Sequence, residues 1–124
     1  MKEDISKEFK FDVGWKKCDE ISFEKKAYKI IIKLQAYFET DGITDEQIES
    51  YSEYLNSKKD IVSSAEQLVE EYDPDVYNRF IPTTLLIERN GDYALLCNDK
   101  NDLDGGIAIC LKPIKKIVLQ DEYL

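Results

Sequence analysis

Asn90-Gly91 stands between two apolar runs, Leu85-Leu86-Ile87 and Tyr93-Ala94-Leu95-Leu96. An Asn-Gly pair in that setting is the strongest short-range signal for a β-hairpin. A type I′ turn needs positive φ at both central residues, and asparagine and glycine tolerate it best. The pattern predicts strands over Thr83 to Arg89 and Asp92 to Cys97, then a longer polar loop from Asn98 to Gly106. Ile107, Ile109 and Leu111 alternate with Ala108, Cys110 and Lys112 in a further strand. Pro113 and Lys115-Lys116 turn the chain, and Ile117-Val118-Leu119 closes a β-meander that reaches from Pro82 to Leu124. The rest of the chain is expected to pack on this meander.

Upstream, Phe9, Phe11 and Val13 alternate with Lys10 and Asp12 and read as a short edge strand or an ordered tail. Trp15, Ile21 and Phe23 share parity in a strand that Glu24-Lys25-Lys26 turns back. Tyr28, Ile30, Ile32, Leu34, Ala36 and Phe38 alternate with Lys29, Lys33 and Gln35, which predicts a strand to Phe38 with one buried and one wet face. Thr44-Asp45-Glu46-Gln47 fits a helix capping box, flanked by Ile43 and Ile48 as a hydrophobic staple. Ile48, Tyr51, Leu55, Val62, Ala65, Val69 and Tyr72 step by three and four, and Tyr54, Ile61 and Leu68 widen the stripe. Asn56-Ser57-Lys58-Lys59-Asp60 leaves open whether this is one kinked helix or two, and Pro74 ends it. Asp75 to Phe80 connects back to the sheet through aromatic anchors. The expected fold is α+β, a single domain over residues 1–124. It has a mostly antiparallel sheet of about six strands with the helical segment on one face, in the order β-β-α(α)-β-β-β-β.

Charge and chemistry then narrow the function. The formal net charge is −9. Glu39 to Asp75 holds twelve acidic residues and two basic ones, Lys58 and Lys59, a net of −10; elsewhere fifteen basic residues face fourteen acidic ones. A net-acidic surface repels phosphate backbones, so nucleic acid is not expected as a partner and a basic protein is. The chain contains no histidine. That removes the commonest general acid/base, the commonest transition-metal ligand and any Ser-His or Cys-His nucleophile. Cys18, Cys97 and Cys110 lie far apart, with no C-x-x-C, and read as small buried hydrophobes in a reducing compartment. No apolar run approaches the roughly 18–20 residues that span a bilayer. The mixed-charge start Met1 to Glu8 lacks the apolar core of a signal peptide, so no membrane contact and a cytoplasmic location are expected.

No motif supplies a cofactor site. There is no P-loop, no G-x-G-x-x-G and no G-x-S-x-G. Asp99, Asp102 and Asp104 before Gly105-Gly106 do not fit a calcium loop, because aligning either glycine at position six puts Lys100 or Leu103 where an acceptor is needed. A solvated turn is the better account. Tyr51, Tyr54, Tyr72, Tyr77, Tyr93 and Trp15 are interface-type residues, but at these spacings they read as packing. Neither cofactor nor metal is expected. The candidate partner-binding residues are Asp45, Glu46, Glu49, Glu53, Glu66, Glu70 and Glu71 on the wet side of the helical segment, and no residue is singled out as catalytic.

The meander also resembles the C-terminal half of a family of small bacterial proteins of unknown function. The residues that carry the resemblance are Pro82, Thr83, Leu85, Arg89, Asn90, Gly91, Leu95, Leu96, Gly106, Ile107, Ala108, Leu111, Pro113, Gln120, Asp121 and Leu124. The Trp15 and Tyr28 strands and Ile43-Thr44-x-Glu46-Gln47 are similar to its N-terminal half. Members of such families often accompany polymorphic toxins, so the resemblance implies an immunity-type protein that binds and neutralises a toxin, such as a basic nuclease domain, without catalysis. Two other readings fit the residues: a small-ligand-binding or carboxylate-only enzyme domain with converging acids in a pocket, and a generic protein-interaction domain.

Overall fold

Trp15–Phe23 (β2) and Lys26–Leu34 (β3) pair antiparallel along their whole length. The computed structural model that shows this describes residues 7–74 and 78–124, apart from the side chains of Leu103 and Asp104. Lys10–Phe11 (β1) adds a two-residue edge to β2. The long helix α1 (Asp45–Tyr72) follows β3 and leads to Phe80–Ile87 (β4), which lies parallel to β3 with Leu34 opposite Ile87. Only a crossover of this length allows a parallel neighbour. Tyr93–Asp99 (β5), Asp102–Lys112 (β6) and Lys116–Leu119 (β7) then run antiparallel, and Gln120–Tyr123 (α2) ends the chain as one helical turn. The seven strands stand in the sheet in sequence order. The architecture is α+β as expected, and the additional strand is the short β1.

The turn chemistry is redistributed relative to the expectation. At Asn90-Gly91 only Gly91 has positive φ, 94°. Its N–H donates to Glu88 O (2.9 Å) while Glu88 N–H donates to Asp92 O (2.7 Å), a three-residue loop closed by a glycine bulge rather than a type I′ turn. The helix explains this. A Cβ on Gly91 would lie 3.0 Å from both Glu46 O and Ser50 Oγ, and Ser50 Oγ donates to Gly91 O at 2.5 Å. The two consecutive positive φ values fall instead at Glu24 (50°) and Lys25 (69°), in the β2–β3 turn.

The capping box at Thr44 forms as expected: Gln47 N–H donates to Thr44 Oγ1 and Thr44 N–H to Gln47 Oε1, both at 3.0 Å. Ile43 and Ile48 both join the helix-side core. The helical segment is one element with a kink at Ser57, whose φ of −126° and ψ of 26° are not helical. The buried line runs through Tyr51, Tyr54, Val62, Ala65 and Val69 on both sides of the kink, whereas Leu55 is 53% exposed and Tyr72 48% exposed. The β3 strand stops at Leu34 because its partner β4 stops at Ile87; Tyr37 and Phe38 leave the sheet exposed on the way to the helix. The expected Asn98–Gly106 loop is mostly strand, and β5 and β6 turn at Lys100-Asn101. Asp99 makes that tight turn possible. It accepts from Asn101 N–H (2.9 Å) and is gripped by the Arg79 guanidinium through two bonds of 2.8 and 2.7 Å.

Two cores result. Ile30, Ile32 and Leu34, with Leu85 and Ile87, Leu95 and Cys97, and Ile107 and Ile109, point from alternate strand positions toward Tyr51, Tyr54, Val62, Ala65 and Val69 of α1. On the opposite face Leu86, Ala94, Leu96, Ala108 and Cys110 form a smaller core, covered by Val118 and by Tyr123 of α2. Small residues let α2 come close. A Cβ on Gly106 would strike Cys97 O at 2.5 Å, beside the Gln120 Nε2 that donates to the same carbonyl at 3.3 Å. The central strands are therefore buried on both faces, whereas β2 and β3 keep the expected wet side. Cys97 and Cys110 are buried free thiols, but Cys18, expected inside, is exposed because it shares the outward parity of Ile31, its partner across the pair.

Candidate functional site

Six of the seven acidic residues singled out on α1, Asp45, Glu46, Glu49, Glu53, Glu70 and Glu71, are exposed, and Glu66 is half-buried. Residues four apart share a helix face, so Asp45, Glu49 and Glu53 form one line and Glu66 and Glu70 another. The two groups do not make a single patch. Asp45 and Glu71 are 26 residues apart along the helix, roughly 39 Å at 1.5 Å per residue, and the Ser57 kink lies between them.

Glu53 and Glu66 are engaged inside the protein. Glu53 pairs with Lys112 at 2.9 Å, and Glu66 Oε2 accepts from the Glu24 backbone N–H at 2.6 Å, bracing the strained β2–β3 turn. Of the two helix lysines, Lys58 is drawn to Asp19 at 3.0 Å. Glu46, Glu49, Glu70 and Glu71 make no ion pair or side-chain hydrogen bond among the described residues. The last turn of α1 carries no basic residue.

At the C-terminal end of the helix, Glu24, Glu66, Glu70 and Asp73 line a pocket of about 430 Å³ with Val69 and Pro74. Burial, and then the charge on Glu66, push the Glu24 carboxyl up from its ordinary value, against a backbone hydrogen bond that pulls it down. No group of three or more potential ligands among the described residues is arranged to hold a metal ion. Tyr77 and Asp75, which belonged to the expected connection, lie outside the described residues.

The opposite sheet face holds a larger opening that the sequence pattern does not single out. A groove of about 860 Å³ runs between α2 and the ends of β3 and β4. Leu86, Cys110 and Val118 are among its apolar walls, and the exposed Tyr37, Ile114 and Leu124 stand at its rim. Lys33 and Glu88 line it, both half-buried, and neither side chain makes a hydrogen bond or ion pair among the described residues. Burial draws the Lys33 amine down and pushes the Glu88 carboxyl up, the latter helped by the charge on Asp92. The Lys33 stem passes the buried Gly14, where a Cβ would meet its Cε at 2.7 Å. In the sequence, Lys33 between Ile32 and Leu34 looks like any lysine on the wet side of a strand, and Glu88 like the start of a turn.

No helix is long and apolar enough to cross a membrane among the described residues. Comparisons with protein-family models, curated proteins and solved structures give no significant match.

Proposed function

We propose that the protein acts by binding: an immunity-type protein whose exposed carboxylates along α1 dock a basic partner, a toxin domain of the nuclease kind, and block it without chemistry of its own. One observation carries this. Beyond Asp45 and Glu46, which suit the first turn, the carboxylates of α1 are placed against the interest of their own helix. Like charges four apart each cost about 0.2–0.5 kcal/mol, and Glu70 and Glu71 stand in a last turn where the helix dipole favours cations and no basic residue relieves them. A basic partner relieves both penalties at once, and the same field speeds its encounter. The lack of histidine in the sequence agrees with a role that needs no acid/base group.

The test is affinity capture from the source organism at low salt, with wild-type protein and with a variant carrying Glu49→Lys, Glu70→Lys and Glu71→Lys. A strongly basic protein retained by the first and lost by the second is the expected result. Equal capture by both, or capture of an acidic protein, contradicts the proposal.

A further inference from the structure

The groove on the sheet face opposite α1 contains a set of polar groups that the fold leaves uncommitted. Leu34 pairs with Ile87 across β3 and β4, so the next residues along, Gln35 and Glu88, are neighbours at one end of the groove. Gln35 Oε1 is buried and has no hydrogen-bond partner, and the Glu88 carboxyl has none among the described residues either. Two side chains with uncommitted oxygens therefore stand on neighbouring strands. One pleat back along the same face, two residues or about 6.6 Å of strand, stands Lys33, opposite Leu86. Its ammonium is a free donor, and the Tyr123 hydroxyl, which also lines the groove, makes no hydrogen bond among the described residues.

Lys33 and Glu88 line the same groove, yet form no ion pair with each other. A half-buried ammonium and a half-buried carboxylate that fail to meet leave two desolvated charges uncompensated. A ligand with one cationic and one anionic group can answer both, its anion on Lys33 and its cation on Glu88. Leu86, Cys110 and Val118 give the groove apolar walls. The volume, about 860 Å³, is in the range of small-molecule sites.

We propose that this groove binds a small zwitterion of the apolar α-amino-acid class, its carboxylate on Lys33 and Tyr123, its ammonium on Glu88 and Gln35, and its side chain against Leu86 and Val118. This site is independent of the acidic face of α1.

The experiment is an NMR titration of the full chain with L-leucine at millimolar concentration. Isocaproate, which lacks the ammonium, and isoamylamine, which lacks the carboxylate, serve as controls. Saturable shifts confined to the surroundings of Lys33, Glu88 and Tyr123 are expected with leucine, and each single-charge analogue should bind about tenfold more weakly or worse, since a hydrogen bond to a charged group is lost. Lys33→Met and Glu88→Gln should each weaken leucine binding by a similar factor. Absence of saturable shifts, analogues that bind as well as leucine, or binding unchanged in both folded variants overturns the proposal. The analogue comparison uses wild-type protein and so stands even if a variant misfolds.

Discussion

The side-chain amide of Gln47 donates to the main-chain carbonyl of Ile87 at 3.2 Å, where the parallel β3–β4 pair ends. The same amide donates to Gln35 O at 2.9 Å, and its oxygen caps Thr44 N–H at 3.0 Å. Gln47 is fully buried, so every polar atom it carries must be satisfied, and each is. Gln47→Leu keeps the volume but orphans the Thr44 N–H and weakens the hold on two carbonyls. Urea denaturation should show a loss of about 2–3 kcal/mol. Glu46→Gln, one residue away on the exposed side, should change stability by less than about 0.5 kcal/mol.

Arg79 joins Asp99 at the β5–β6 turn to Asp73 at the end of α1, with contacts of 2.7 Å to each. The two Arg79 hydrogen bonds hold the Asp99 carboxyl below the usual carboxylate range. A carboxyl with a lowered folded pKa stabilises the fold above its unfolded pKa, about 3.9. That contribution is lost as the pH falls through the lowered value. Asp99→Asn should therefore cost about 2–3 kcal/mol at neutral pH, somewhat less than a fully buried pair because Arg79 keeps Asp73. The gap from wild type should narrow below about pH 4.

Glu88 has the opposite sign. Burial, with the charge on Asp92, raises its carboxyl. A raised carboxyl makes stability fall as the pH climbs from its unfolded pKa, about 4.3, through the folded one. Glu88→Gln should be more stable than wild type at pH 7 and indistinguishable from it at pH 3. Lys33→Met should also stabilise at neutral pH, because burial opposes the ammonium there. Thermal unfolding at the two pH values checks both variants. Loss of stability at pH 7 in both would show that the groove charges support the fold.

Cys18 is exposed while Cys97 and Cys110 are buried, and burial pushes both buried thiols up from their ordinary value. A thiol reagent added to native protein should modify one cysteine rapidly, and Cys18→Ser should abolish that fast phase. The other two should react only with denaturant present. Two fast thiols would mean that α2 does not cover Cys110.

Local signals were legible wherever one short stretch decides the outcome. Thr44 and Gln47 spell out the helix start, and Pro74 its end, because a cap is a matter of four adjacent residues. The parity of Trp15 to Phe23 and of Ile30 to Leu34 placed β2 and the body of β3. Features set by distant partners were not legible. Gly91 takes a bulged turn because α1 lies against it, Asp99 turns tightly because Arg79 grips it from another element, and Phe38 leaves the sheet because β4 has run out. The acidic stripe was visible as composition, but not its division by the kink at Ser57, nor the use of Glu53 and Glu66 inside the protein. The groove was invisible for the same reason: Lys33 and Glu88 are 55 positions apart in the chain and share one groove only through a parallel pairing that no local pattern announces.

Binding through the outer face of α1 is best tested by position against net charge. Once a partner is in hand, its dissociation constant is measured for wild-type protein, for Glu49→Lys/Glu70→Lys/Glu71→Lys, and for Glu20→Lys/Asp121→Lys/Glu122→Lys, three exposed acids outside α1. Both variants change the net charge equally. Affinity for wild type should fall steeply between about 50 and 300 mM salt, as screening shortens. The helix variant should lose binding at every salt concentration, while the control keeps all but the long-range part. Equal losses in the two variants, or wild-type binding indifferent to salt, would contradict a docking face on α1.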